Sequence, residues 1–268
     1  MKARPGTSDA NLLADLISSL RNPAFWAFSA WLDLVTKYRR SSLGLIWVLM
    51  PPLCYIFGIG YFYSSLSKVE SLPFMLHLGI GYVLWKMITQ VITGASTAMA
   101  GHRSFIFDGR VRYTDYVLRV MSKSLFYFAV TVCVLTPLLL AAIGVRGAMT
   151  LAITLPIFMA NVLWLGVVIG VIGARFPDMH EFSSTIFIFG FLLTPIVWRA
   201  ELTPPDTMRG FVARLNPAFH LIEFVRAPLL GDPVEINTIW VVLGLTILGW
   251  ACAMAVYRKY SSYIPIWL

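Results

Sequence analysis

Few side chains in this 268-residue sequence are grouped in a way that could do chemistry. The densest group is "RFPDMHEF", residues 175–182, where Asp178, His180 and Glu181 can be drawn as metal ligands or as an acid–base set. A metal site needs donors that converge from separate spacings, and no second acidic group stands at such a distance. A loop that contacts a partner is the competing reading, and it needs no convergence. The phosphate-cradling pattern G-x-x-x-x-G-K-[ST] does not occur, nor do H-E-x-x-H and G-x-S-x-G. The chain therefore has no such loop with which to bind and split ATP. Cys54, Cys133 and Cys252 lie far apart in apolar stretches, without zinc-ligand or redox spacing, and read as small hydrophobes.

Such sparse chemistry directs attention to the elements around it. Hydrophobic residues make up 58% of the chain and charged residues only 13%, whereas a soluble domain carries about a quarter charged residues. Several uncharged runs approach or exceed the ~20 residues that cross a ~30 Å hydrocarbon core. The expected fold is an all-α integral membrane protein, one transmembrane domain over residues 1–268. Six spans are expected, at about 43–66, 74–99, 121–144, 149–173, 183–198 and 237–257, the fifth of them short. Residues 199–236 are too polar and proline-rich for a simple span. Their apolar pieces, Phe211 to Ile222 and Phe224 to Leu230, are expected as short re-entrant or interfacial helices. The first 22 residues have no continuous apolar segment, so a cleavable signal peptide is not expected.

Six spans put both termini on one side. If that side is the cytoplasm, fourteen Lys and Arg residues lie inside and six outside, with Lys86 within a span. This is the bias of the positive-inside rule, and it makes the net charge of +8 a matter of topology rather than of nucleic-acid binding. "PAFWAFSAWLDLVTKYRR", residues 23–40, follows Asn22 as a cap and sets Phe25, Phe28, Leu32 and Val35 at helical spacing, with cations at its end. A helix lying in the headgroup layer fits this pattern; a solvated helix packed on its own protein is the alternative. "GHRSFIFDGRVRYTDY", residues 101–116, sets Phe105 and Phe107 among charges, which points to docking on another protein or to insertion into the bilayer surface. Lys86 is the one charge deep in a span. Ionisable groups there are functional by default, and this one either lines a water-filled path or pairs with a backbone carbonyl. The spacing Gly166-xxx-Gly170, followed by Gly173, would allow a close helix contact.

Taken in order, "KYRRSSLGLIWVLMPPL", "GVVIGVIGARFPDMHEF", "FGFLLTPIVW" and "LNPAFHLIEFVRAPLLG" resemble the motifs of type-2 ABC exporter permeases. The likeness is greatest to the polysaccharide branch, which exports O-antigen, capsule and teichoic-acid polymers, and it runs over roughly residues 25–257. It implies an inner-membrane half-channel of a bacterium, with cytoplasmic termini, that forms a homodimer above two separate cytoplasmic ABC ATPase subunits. It implies no cofactor in this chain, since ATP and Mg would be bound by the ATPase, and a transport subunit rather than an enzyme.

The same resemblance makes residues 25–40 the interfacial helix at the cytoplasmic entrance. It puts ATPase coupling on His102, Phe105, Phe107, Asp108 and Arg110, and the extracytoplasmic gate on Asn216, Pro217, His220, Glu223 and Arg226. Glu223 and Arg226 stand i, i+3, and an exposed pair of that kind would stabilise little. The implied cargo is a lipid-linked polysaccharide. Sugars stack on aromatic rings, so Tyr55, Tyr61, Tyr63, Trp85 and Trp198, with Lys86, are candidates for the pathway; an interfacial aromatic belt is the alternative. Lys37, Arg39, Arg40 and Arg119, with Lys123, stand near the expected cytoplasmic boundary and are candidates for a lipid headgroup. Lys86 departs from the family's pattern in the second span. Two other readings remain: an exporter of a small lipid, lipo-oligosaccharide or drug, and an enzyme acting on polyprenyl-phosphate sugars. The second needs converging carboxylates, but Asp33, Asp108, Asp115, Asp178 and Glu181 are spread over three segments.

Overall fold

A computed structural model describes residues 11–39, 41–67, 69–108, 111–142, 144–199, 204 and 206–268. Arg40 and Arg110 lie outside the described residues. The described chain is helical throughout. Helix α1 (Leu12–Arg21) comes from the weak apolar pattern before the first motif. The Asn11 side chain accepts from the Leu13 and Ala14 amides, filling two of the orphan donors of a first turn. Leu12 and Leu16 are buried, Asp15 accepts from Tyr257 Oη at 2.6 Å, and Ser19 shares a 2.7 Å hydrogen bond with Thr114. Asn22 closes α1 instead of opening the next helix: its Nδ2 donates to Ser18 O. Helix α2 (Ala24–Arg39) follows.

Among the described residues, five helical stretches are long and apolar enough to cross a membrane. The first is a composite: α3 (Ile46–Leu53), a π-helical stretch at Cys54–Ile59, and α4 (Gly60–Ser67). It begins later than the expected residue 43 because Gly44 takes φ 53°, a left-handed conformation that ends the preceding turn. The others are α5 (Ser71–Ala98), α7 (Tyr113–Ala142), α8 (Val145–Arg175) and α12 (Ile236–Tyr260). Between α5 and α7, the short α6 (Arg103–Phe107) occupies the expected coupling loop. Helix α7 starts eight residues before the expected boundary, so Arg119 belongs to the helix and not to the loop before it.

The expected fifth span is the exception. Helix α9 (Met179–Leu193) has 15 residues, about 22 Å at 1.5 Å per residue, short of a ~30 Å core. It begins before residue 183 and stops ahead of Pro195, a residue that biases the one before it away from helical backbone. Thr194, in extended backbone, ends it. The expected apolar pieces after it are divided differently. Helices α10 (Met208–Leu215) and α11 (Pro217–Leu230) meet at Asn216, whose Oδ1 accepts from the Ala218 amide, with Pro217 in the first helical turn. A final short helix is α13 (Ile264–Trp267).

Most of α5 is buried, whereas a minority of side chains is buried in each of the other spans. It contacts α4, α7, α8, α9 and α11, while α12 packs on α8 and α2 on α7. The small-residue face of α8 is what meets α5. A methyl group on Gly173 would stand 2.0 Å from Ser96 O, and one on Gly166 would touch Val91 and Val117 at 3.0 and 3.1 Å. Close approach of this kind makes up for the weak drive between helices in lipid. Gly173→Ala should force α8 off the backbone of α5 and cost about 1–3 kcal/mol, as overpacking does. Gly244→Ala, where nothing lies within 4 Å, should be neutral or better. Thermal unfolding of the detergent-purified variants checks both, and equal melting temperatures for the two would refute the packing account.

Candidate functional site

Side chains with chemical capacity gather at the two ends of α5. Near its N-terminal end, an aromatic-walled cavity of about 680 Å³ is lined by Tyr55, Tyr63, Phe74, Phe191, Trp198 and Arg199, among others. Tyr55 comes from the π-helical stretch and stacks on Tyr82 of α5, centroids 4.5 Å apart and planes 21° apart. A π segment widens a helix locally and recurs at functional sites. Trp198 is set by the turn after α9, where its Nε1 donates to Leu192 O at 3.1 Å. Three of the expected pathway aromatics, Tyr55, Tyr63 and Trp198, thus share one cavity. Tyr61 is exposed on α4 outside it, and Trp85 is buried against Phe187 and Phe191.

Beside this cavity the segment after α9, the α10–α11 elbow and α5 are fastened together. Asn216 Nδ2 donates to Thr194 Oγ1 at 2.7 Å, and His77 Nε2 donates to Trp198 O at 3.2 Å. His220 Nε2 donates to Arg214 O at 2.8 Å, which leaves Nδ1 to accept from Thr238 Oγ1. Arg214 in turn holds Glu235, the cap residue of α12, at 2.5 Å. That hydrogen bond keeps the Glu235 carboxyl below its ordinary value against the opposing effect of burial.

The deepest fastening corrects an expectation: the Glu223–Arg226 pair is not exposed. Arg226 is only 1% exposed, and its Nη2 meets Glu223 Oε1 while Nη1 lies 3.4 Å from His77 O. Gly81 makes the room, for a methyl group there would stand 2.8 Å from Nη1. A buried ion pair punishes the loss of one partner more than the loss of both.

Near the other end of α5, a second cavity of about 560 Å³ lies between α2, α5 and α7. Asp33 of α2 takes Arg119 Nη2 at 2.6 Å and Lys123 Nζ at 3.0 Å, both from α7. Burial works to raise the Asp33 carboxyl, but its hydrogen bonds with Arg119 and Lys123 and their charges outweigh that and hold it below the ordinary carboxylate value. Arg119 also reaches His102 Nε2, while His102 Nδ1 donates to Ala98 O at 2.7 Å. His102 is therefore neutral, its pKa lowered first by burial and also by the Arg119 charge. Phe25 meets Phe105 and Tyr116 edge to face. One network thus joins α2, the start of α7 and the loop holding α6.

Phe105 and Phe107 point outward from α6 while Ile106 is buried. Asp108 is exposed at its end, and Lys37 and Arg39 are exposed on α2. Helix α2 buries Ala30 and Leu34 against α7 and leaves Phe28, Trp31, Leu32 and Val35 exposed. The expected apolar stripe is therefore mostly free, with a second, smaller stripe doing the packing. Lys86 is exposed on otherwise buried α5, one turn before Gln90, and makes no hydrogen bond or ion pair among the described residues. Asp178 and Glu181 start α9, and His180 Nδ1 lies 3.2 Å from Thr93 O. Among the described residues no group of three or more His, Cys, Asp or Glu is placed to hold a metal ion.

No family model matches the chain. Over 238 residues it is 22% identical to the capsule polysaccharide export inner-membrane protein CtrC of Neisseria meningitidis serogroup B, covering 86% of this chain and 88% of that protein. The chain is a distant relative of that protein, and the similarity extends over most of both chains. Helix α1 and the Asp33 brace are not among the features expected from the sequence. The spacing of Asp33 and Lys37, i and i+4 on α2, was the available signal for a polar face there.

Two outcomes follow from these contacts. Glu223→Leu and Arg226→Met should each destabilise the protein by about 3–5 kcal/mol, and the double variant by less than either; a double-mutant cycle of unfolding in detergent measures this. The neutral His102 predicts a pH dependence. Its folded pKa is lowered from 6.5, so its contribution is complete above that value and is lost as pH falls below it, when the unfolded chain takes the proton first. The melting temperature of the native protein relative to His102→Gln should be constant above pH 6.5 and decline on acidification.

Proposed function

We propose that this chain is the membrane-spanning subunit of an ABC exporter that carries lipid-linked polysaccharide of the O-antigen or capsule type across the bacterial inner membrane. It works as a homodimer above two copies of a separate cytoplasmic ATPase, with both of its own termini in the cytoplasm and α9 as the short fifth of six spans. The observation that carries this reading is the relatedness to a capsule polysaccharide export protein over most of both chains.

Geometry supports several parts of this reading. The exposed Phe105 and Phe107 on a short helix offer an apolar docking surface to an ATPase. The exposed stripe of α2 suits a helix resting in the headgroup layer at the cytoplasmic entrance. The aromatic cavity beside Trp198 offers rings on which the C–H faces of sugars stack. Lys86, unpaired on an exposed position of a buried span, suits a wall that faces water, because a lone charge facing lipid would be costly. The ATPase closes on ATP, pushes on the α6 loop, and the Arg119 network passes the displacement to α2 and α7. The elbow held by Asn216 and Arg226 is the part that must yield at the outer side.

Deleting the gene in its host and locating the polymer tests this reading. Loss of surface polysaccharide with lipid-linked polymer accumulating inside is expected. Normal surface polymer, in a host without a second permease, would reject polysaccharide export and favour a smaller lipid cargo. Loss of polymer both inside and out would point to synthesis instead.

A further inference from the structure

Lys86 is the one cation in the sequence of α5, and the chain offers it no carboxylate at its own depth. It is exposed on a helix that is otherwise mostly buried. No Asp or Glu occurs in α3, α4, α5, α8 or α12, nor in α7 after Asp115. Helix α9 sets Phe187 and Phe191 against Trp85, at the level of Lys86. Its carboxylate, Glu181, stands six residues before Phe187, about 9 Å along the helix. Glu223 of α11 is held by Arg226. A second copy of the chain would bring another Lys86 to this depth and no new carboxylate. The anion that meets this ammonium must come from outside the protein.

The side chains that follow Lys86 on the same face define what it can bind. Thr89 Oγ1 donates to Trp85 O at 2.8 Å, Thr93 Oγ1 to Thr89 O at 2.7 Å, and Thr97 Oγ1 to Gly94 O at 3.4 Å. The backbone takes their protons, so outward these hydroxyls offer acceptor lone pairs. Gln90, one turn after Lys86, makes no side-chain hydrogen bond among the described residues. The donors left among these five side chains are the Lys86 ammonium and the Gln90 amide. Sugar hydroxyls can donate to the threonine oxygens and accept from the amide, and they need no cation. An ammonium at this depth is costly unless an anion or water meets it, and an ionised acceptor makes the stronger bond to it.

We propose that Lys86 selects the charge of the cargo: the polymer that passes along α5 carries an ionised group, carboxylate or phosphodiester, in its repeating unit. Two copies in a homodimer put two such ammonium groups on one path, as rings of Lys line pores for anions. A repeating acid meets them throughout its passage, whereas the headgroup of an anchor meets them once. The assignment of cargo rests on the export reading above. The positive, water-filled face of α5 can be measured without transport.

The first measurement uses the full chain in nanodiscs, with Cys54, Cys133 and Cys252 replaced by Ala. Thr89→Cys puts a thiol one turn from Lys86 and outside the lining of the cationic cavity. Its reaction rates with an anionic methanethiosulfonate (sulfonatoethyl) and a cationic one (trimethylammonioethyl) are compared at low salt. A unit charge about 6 Å away across water changes each rate about threefold, in opposite directions. Lys86→Gln should therefore lower the ratio of anionic to cationic rate about tenfold. This variant removes a costly charge, so it should insert no worse than the native chain. The second measurement is made in the deletion host. At equal membrane content of protein, Lys86→Gln should reduce surface polymer about tenfold, as loss of a hydrogen bond to a charged group does. Lys86→Arg should restore most of it, and Lys86→Glu should abolish it. Anion exchange of the native polymer, with carboxyl and phosphorus analysis, should show an acid in each repeat and tell which of the two it is.

A neutral native polymer would overturn the proposal, and export that still needed Lys86 would then assign the residue to the anchor's headgroup. Native levels of export by Lys86→Gln would overturn it too. A thiol at position 89 that reacts with neither reagent would mean a dry face, and would reject the proposal even where export stands. Normal surface polymer after gene deletion, together with a reagent preference that depends on Lys86, would reject export and retain a wet, positive face for a different anion.

Discussion

Gly173 brings α8 to within a distance of α5 at which not even a methyl group fits, and much of the molecule depends on that contact. With α8 so close, α5 is enclosed by α4, α7, α8, α9 and α11 and becomes the buried axis of the structure. A helix enclosed in this way has few positions left to show. Apart from Gly94, the exposed or half-exposed ones from Lys86 onward, at Lys86, Thr89, Gln90, Thr93 and Thr97, are all polar. Apolar side chains close the rest. The polar face is therefore the remainder left by packing, and packing determines which surface of α5 is open to ligands.

Charge is then placed where α5 ends. Around its C-terminal end, Asp33 ties α2 to α7 and, through Arg119, to the loop after α5. Nearer its N-terminal end, Arg226 enters the gap above Gly81 and ties α11 to the main chain at His77. Apolar packing is non-directional and close to all or none in a dense interior, whereas a polar contact specifies one partner. Ties made of a few polar contacts at either end, with dense packing between them, leave the middle rigid and let the ends exchange partners.

How much of this was legible depended on the physical signal behind each feature. Long apolar runs with caps and prolines showed most of the helices, because membrane depth leaves backbone little choice. The Gly166, Gly170 and Gly173 spacing read correctly as a close contact, though not against which helix. Boundaries failed where polar side chains lie inside a helix: Arg119 and Lys123 read as a cytoplasmic edge, yet α7 begins at Tyr113. Helix α1 was missed because its buried face holds little more than Leu12, Leu16 and Ser19. The Glu223–Arg226 pair was visible as i, i+3, but its burial was not, since that depends on Gly81, 145 residues away in the chain from Arg226. Spacing shows which residues share a helix face; only tertiary packing shows whether that face is wet.

Distance along α5 joins the two cavities. Phe74 lines the aromatic one and Thr97 the cationic one, and the helix between them is about 34 Å long at 1.5 Å per residue, close to a ~30 Å hydrocarbon core. Lys86 stands about midway between those two residues, one turn before Gln90, where the lining of the cationic cavity begins on this helix. A charge at that depth is tolerated only where water or a partner meets it. Alongside the same helix stand cations near its C-terminal end and aromatic rings near its N-terminal end, with a lone cation between them. Under the proposed export reading, a cargo passing along α5 would meet these surfaces in turn. A pathway of that kind has to hold what it carries weakly enough at each of them to release it.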